Sequence, residues 1–377
     1  LFVAGVATII QTVGLGRIGS KLPIIQGTSF GFIPVMLPFK AAGLGAVFTA
    51  AFIAGIFQMF LGYILKPIRH MFPPLVTGIV VLMIGVSLLG VGFQYAGGGA
   101  WLLNNKPDIY ANGSHLFLAF TVLIVTVLVH QYSKGFLGSA SILIGMAVGY
   151  VIAIPMGMIQ FSKIASASWF ALPMPLQYGI DFVPGAIILM LFMAVVTTIE
   201  TIGDISATTM GGANREATDE ELSGGILADG LGTAFGSLFN AMPNTSYSQN
   251  AGLVAFSGVI SRHVGTIAGI ILVLFGLFPK LGGVIAAMPE SILGGAAIVM
   301  FGLITAAGIK LISQSDLNKR NLLILGLSLS FGIGLYLKPE FVSHFPDLGI
   351  KLPLLLTTGL IPAGLLAFTL NAILPKE

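Results

Sequence analysis

Residues 242–258 read Met-Pro-Asn-Thr-Ser-Tyr-Ser-Gln-Asn-Ala-Gly-Leu-Val-Ala-Phe-Ser-Gly, and no continuous membrane helix can be built from them. Pro243 removes a backbone donor, and Asn244, Thr245 and Ser246 offer the main chain hydrogen bonds that compete with a helix. Apolar runs nevertheless flank the stretch on both sides. A broken backbone at membrane depth is tolerated only where it is buried in protein or lines a cavity. A second stretch, Leu22–Pro38, has the same character, with Gly27-Thr28-Ser29-Phe30-Gly31-Phe32 followed by Pro34. The two together predict a pair of interrupted helices facing one cavity.

Working outward, hydrophobic residues fill 56% of the 377 positions and charged ones 8%, with mean hydropathy +0.99. Soluble domains carry about 25% charged residues, so lipid is the main solvent of this surface. The reading is an all-α polytopic membrane protein. Apolar runs near 1–14, 22–38, 44–65, 74–93, 115–132, 136–158, 184–203, 222–240, 246–260, 262–279, 288–310, 320–337 and 352–372 are the candidate spans. Net charge is +3, but the 17 Lys and Arg stand singly between apolar runs. That is the pattern of membrane loops, not of a nucleic-acid face. There is no cysteine, which removes thiolate metal sites and leaves the redox compartment open. The chain opens at Leu1 inside an apolar run, without Met or a charged leader, and reads as lacking a segment upstream.

Pro73 and Pro289, Gly78 and Gly294, and Thr28 and Asn244 are each 216 residues apart. That spacing puts the two interrupted stretches at the same place in two halves, as inverted repeats do. Moving the run at 184 back by the same offset lands about 32 residues before Leu1. A fourteen-helix inverted-repeat fold, seven per half with one helix preceding this chain, is the expectation. Alternating sides from the first loop places Arg17, Lys21, Lys66, Arg69, Lys134, Arg215, Arg262, Lys310, Lys319, Arg320 and Lys376 inside. Lys40, Lys106, Lys163, Lys280, Lys338 and Lys351 fall outside, so the bias follows the positive-inside rule.

Most of the 14 acids sit in expected loops, such as Glu216, Asp219, Glu220 and Glu221. Glu200, Asp204 and Asp229 do not. A carboxylate at membrane depth costs several kcal/mol unless it is protonated, paired or facing a polar cavity, and such residues mark substrate or proton routes. Glu200 and Asp204 are four apart, on one helical face. The plainer alternative for each is a helix-tying hydrogen bond. Gln249, in Tyr247-Ser248-Gln249-Asn250, presents a donor and an acceptor side by side. It matches an edge that alternates C=O and N–H, as a purine-dione edge does; an interhelical hydrogen bond is its alternative. Phe30 or Phe32 is available to stack on a flat ring, or to pack in the core or against lipid. His70, His115, His130, His263 and His344 all fall at predicted helix ends.

At these residues the sequence resembles the nucleobase–ascorbate transporter family, closest to its xanthine and uric acid permeases. The family signature is Gln, Glu or Pro, then Asn, any residue, Gly, four residues, Thr, and Arg, Lys or Gly. Here it runs from Gln249 to Gly258 with Ser257 in place of Thr. Glu200-Thr201-Ile202-Gly203-Asp204 and Gly27-Thr28-Ser29-Phe30 resemble the family's eighth-helix and third-helix motifs. The resemblance implies a core domain (1–66 and 184–280) and a gate domain (67–183 and 281–377), with short strands in the broken third and tenth helices. It also implies substrate contact by Glu200, Gln249, Phe30, Ser29, Tyr247 and Ser248, with Asp204, Asp229, Asn250 and Ser257 in support or in proton coupling. A proton-coupled, homodimeric purine permease of the bacterial inner membrane follows, with no cofactor and no metal. Gln249 and Gly258 favour uric acid or xanthine over uracil. The alternatives are another nucleobase permease or an anion carrier of the same fold. An intramembrane enzyme would need a nucleophile or metal cluster, and the sequence offers no His/Cys set and no HExxH motif.

Overall fold

A computed structural model describes residues 1–64, 73–346 and 352–375. The sequence expectations for Lys66, Arg69, His70, Lys351 and Lys376, and the boundary at 66/67, lie outside the described residues.

Among the described residues the chain is mostly helical, with one two-stranded sheet. The elements that position the site are α1 (Phe2–Val13), β1 (Gln26–Thr28), α2 (Phe30–Phe39), α3 (Leu44–Tyr63) and α4 (Pro74–Ala96). They continue with α5 (Gly113–Tyr132), α6 (Ser141–Ala153), α7 (Pro184–Ala213), α8 (Asp219–Leu238), β2 (Asn244–Ser246) and α9 (Ser248–Ser257). The remainder is α10 (Arg262–Gly276), α11 (Pro279–Ala286), α12 (Glu290–Ile312), α13 (Lys319–Leu337) and α14 (Leu360–Ile373). Among the described residues six helices are long and apolar enough to span a bilayer, or seven if α10 and α11, bent by 80°, form one span.

Two boundaries depart from the sequence reading, for identifiable reasons. The helix expected over 184–203 runs on to Ala213 and ends at Asn214, whose φ of 50° is left-handed. Gly203, Gly211 and Gly212 do not break it, and at the last two the missing side chain lets α9 approach. A Cβ on Gly212 would stand 2.5 Å from Val254 Cγ1. The next helix starts at Asp219, not 222, because Thr218 and Glu221 form a capping box. The Thr218 hydroxyl accepts from the Glu221 N–H (3.2 Å), and the Glu221 carboxylate accepts from the Thr218 N–H (2.9 Å). Arg215 forks onto the same carboxylate at 2.6 and 2.8 Å.

The chain divides into two compact units. The first comprises Leu1–Ile84, Leu172–Leu277 and Ala307–Glu377, and the second Gly85–Ala171 and Phe278–Ala306. In the first, α3 packs on α8 and α1 on α10, both through glycine. A Cβ on Gly55 would meet Ala234 N at 2.5 Å, and one on Gly5 would meet Gly269 O at 2.5 Å. Small residues at crossings let backbones close up where lipid gives no hydrophobic drive between helices. Gly78 of α4 meets Ile312 of α12 in the same way. The second unit holds its own apolar cluster of Leu118, Val122, Ala153, Ile292 and Ala296. Within it Gly145 and Gly149 of α6 fit against Thr126 and Val122 of α5, and Gly294 of α12 against Ala96 of α4.

Candidate functional site

All the sequence-predicted site residues lie in the first unit, and all but Ser257 lie around the two strands. β1 and β2 pair antiparallel in the register Gln26↔Ser246, Gly27↔Thr245, Thr28↔Asn244. The pairing extends one residue each way, with the Ser29 N–H on Pro243 O (2.9 Å) and the Tyr247 N–H on Ile25 O (3.0 Å). The backbone groups that Pro243 and Gly27 exclude from a helix are thus satisfied by the opposite break. Each strand is also clamped by a threonine of the helix before it. Thr8 of α1 both accepts from the Gln26 N–H (3.0 Å) and donates to Gln26 O (3.3 Å). Thr233 of α8 does the same for Asn244, at 3.0 and 3.2 Å.

A helix begins directly after each strand. Ser29 caps α2 by accepting from the Gly31 N–H at 3.2 Å and is buried. Phe30 is 41% exposed whereas Phe32 is fully buried, so of the two rings Phe30 is the one at the surface. Tyr247 covers Gly27 and donates to Thr28 O at 3.3 Å. A Cβ on Gly27 would fall 2.4 Å from the Tyr247 hydroxyl, so this glycine is required by close approach. Gly27→Ala is expected to displace the ring and cost about 1–3 kcal/mol of overpacking. Uptake should fall sharply, and Tyr247→Phe in the same chain should restore part of it; undiminished uptake by Gly27→Ala alone would refute the contact.

The three membrane-depth acids meet at this sheet, with unequal surroundings. Asp229 of α8 is fully buried and accepts from Gln26 Nε2, Thr201 Oγ1 and the Ser246 main-chain N–H. Gln26 in turn accepts from Asn244 Nδ2 at 2.9 Å, tying both strands to that carboxylate. Asp204 of α7 is buried and accepts from Ser246 Oγ at 2.8 Å and from the Ser248 hydroxyl. Glu200 lies one turn away on the same face, half-buried and close enough to both aspartates to feel their charge. Among the described residues no hydrogen bond holds its carboxyl.

Gln249, in the first turn of α9, is exposed. Its neighbour Ser248 reaches Asp204, so that turn is held against the Glu200 face of α7. Asn250 donates to Pro23 O, fastening α9 to the segment that enters β1. Ser257 stands at the far end of α9, on the order of 12 Å along the axis at 1.5 Å per residue, and bonds Leu253 O at 2.8 Å. It does not join the others. Gln26, Thr8, Thr201 and Thr233 were not singled out from the sequence. The available signal was Gln26 directly before the Gly27-Thr28-Ser29 break, where period-2 geometry turns it toward its cross-strand neighbours.

Six or seven apolar spans among the described residues, arranged around two helix starts joined by a strand pair, are the architecture of a multi-pass membrane protein. A model described as the Permease family, covering xanthine and uric acid permeases, matches residues 1–341. The chain belongs to this family, the nucleobase–ascorbate transporters. It is 35% identical over 391 residues to the xanthine permease XanP of Escherichia coli, spanning 100% of this chain and 83% of that one. It is 36% identical to the uric acid transporter UacT of E. coli (98% and 77% covered). The xanthine permease of Bacillus subtilis is also 36% identical (99% and 84%). Among solved structures, the transmembrane domain of the cyanobacterial bicarbonate transporter BicA superposes with TM-score 0.58 at 15% identity, covering 98% of this chain and 96% of that one. SLC26A9 superposes with TM-score 0.65 at 16% identity, over 97% and 60%. At that identity the likeness is one of fold alone.

Proposed function

We propose that this protein takes up an oxidised purine, uric acid or xanthine, by proton-coupled alternating access across the bacterial cytoplasmic membrane. The observation that carries the reading is the contrast among the acids. Asp204 accepts from two donors and Asp229 from three, while among the described residues Glu200 accepts from none, next to the turn that presents Gln249. A protonated Glu200 has a donor and an acceptor, and so does the Gln249 amide; together they fit the N–H and C=O groups of a purine-dione. The names of the relatives support the substrate class.

Two inverted repeats of seven helices, a core domain of 1–66 and 184–280, and a gate domain of 67–183 and 281–377 complete the proposal, with the gates paired in a homodimer. The repeat is supported by matched details. The Thr8–Gln26 and Thr233–Asn244 clamps are alike, and Gly78 against Ile312 mirrors Gly294 against Ala96.

The test is competition uptake on the full-length protein, with labelled xanthine against unlabelled urate, uracil, adenine, ascorbate and bicarbonate. Competition by urate alone among them is expected. Bicarbonate competition without urate competition would favour the anion-carrier reading. In the same assay Gln249→Glu leaves an acceptor-only carboxylate facing the purine edge, so apparent affinity should weaken by about 1–3 kcal/mol, roughly 5- to 150-fold. Unchanged affinity would remove Gln249 from the site.

A further inference from the structure

Between the second unit and α7 the chain runs without helix or strand from 167 to 183. Within the first unit, its part from Leu172 to Phe182 alternates apolar with other residues in sequence and is folded by a turn, in which the Gly179 N–H bonds Leu176 O (3.1 Å) and Leu176 (φ 53°) and Gly179 (φ 73°) are left-handed. Leu172, Met174, Leu176, Tyr178, Ile180 and Phe182 are apolar, and they are exposed by 69, 72, 47, 49, 63 and 68%. The residues between them are Pro173, Pro175, Gln177, Gly179 and Asp181. Contiguous apolar surface beyond a few hundred Å² is rare on a face that meets only water.

This segment is fastened in place. The Leu176 N–H bonds Leu238 O at the end of α8 (2.8 Å), and Asn240 Nδ2 bonds Met174 O (2.7 Å). The Asp181 N–H bonds Thr49 Oγ1 in α3 (3.1 Å), and the Tyr178 ring lies 5.7 Å from that of Phe48. Gly45 admits the Tyr178 carbonyl, which would stand 2.6 Å from a Cβ there. Val183 then leads into α7, whose first residue is Pro184. The strap therefore crosses the ends at which α3 and α7 begin and α8 finishes.

We infer that residues 172–182 form an interfacial strap whose exposed Leu172, Met174, Ile180 and Phe182 rest in the lipid at one bilayer surface, with Gln177 and Asp181 toward water. Lipid fits better than a second copy of the chain. A partner strand would need an extended run to pair with, and this segment is interrupted by Pro173, Pro175 and the Leu176–Gly179 turn. The inference is independent of which substrate is carried.

The chain's lack of cysteine makes spin labelling direct, once any cysteine outside it is replaced by serine in the full-length protein. Single variants Leu172→Cys, Met174→Cys, Ile180→Cys and Phe182→Cys would be labelled in phosphatidylcholine vesicles, alongside Gln177→Cys and Asp181→Cys. Collision with oxygen, which concentrates in lipid, and with a water-soluble nickel chelate would be read by electron paramagnetic resonance. The four even-numbered labels should favour oxygen over nickel several-fold more than labels 177 and 181. Nickel access at all six would put the strap in water. Access by neither reagent at the even positions would mean that protein covers them. Either result overturns the inference.

Discussion

Glu200→Gln is expected to retain measurable binding of xanthine or urate and to lose uphill, pH-driven accumulation. Glutamine keeps the side-by-side donor and acceptor of a protonated glutamic acid but cannot release a proton. Glu200→Ala removes both groups, and a hydrogen bond between neutral groups is worth about 0.5–1.5 kcal/mol, so losing two should weaken binding on the order of 5- to 150-fold. Exchange of labelled for unlabelled substrate in vesicles separates binding from coupling. If Glu200 binds substrate without carrying the proton, the Gln variant should accumulate substrate like wild type while the Ala variant loses binding. Wild-type affinity and accumulation in both would take Glu200 out of the site altogether.

Asp229→Ala is expected to unfold the protein at a markedly lower temperature and to abolish transport. Its carboxylate receives Gln26, Thr201 and the Ser246 N–H in a place with no exposure to water. Removing it orphans three buried donors at about 1–3 kcal/mol each, partly relieved by rotation of the Thr201 hydroxyl. The loss should be several kcal/mol. Asp229→Asn should be far milder, because its carbonyl can still accept from Gln26 while its amide donates to Thr201 Oγ1. Thermal unfolding of the purified variants in detergent distinguishes the cases. A wild-type midpoint for Asp229→Ala would show that the strand-tying network has little weight.

How much of this was legible in the sequence differs from element to element. The two breaks were, because Pro243 and the Gly27-Thr28-Ser29 run cannot propagate a helix through lipid. The acids were too, because Glu200, Asp204 and Asp229 interrupt apolar runs where a charge is costly. Their division of labour was not. Spacing places Glu200 and Asp204 on one face but says nothing of Ser246 and Ser248 arriving at the second and not the first. That depends on the register of β1 with β2, fixed by contacts between residues more than two hundred apart. The expected end of α7 at 203 falls short of Ala213 because the apolar run stops there, whereas Gly211 and Gly212 further on are the surface on which α9 lies. Ser257 shares the motif with Gln249 but is separated from it by more than two turns of the helix they both belong to.

The central claim is that Glu200 and Gln249 together read the edge of an oxidised purine beside the β1–β2 pair. The most direct measurement is a structure of the full-length protein determined with xanthine bound. The account predicts the purine plane near Phe30, with ring N–H and C=O groups within about 2.7–3.2 Å of the Glu200 carboxyl and the Gln249 amide, and with Asp204 and Asp229 keeping their present partners. Xanthine bound elsewhere, or at this place with Glu200 turned away and Asp229 released from Gln26 to contact it, would contradict it.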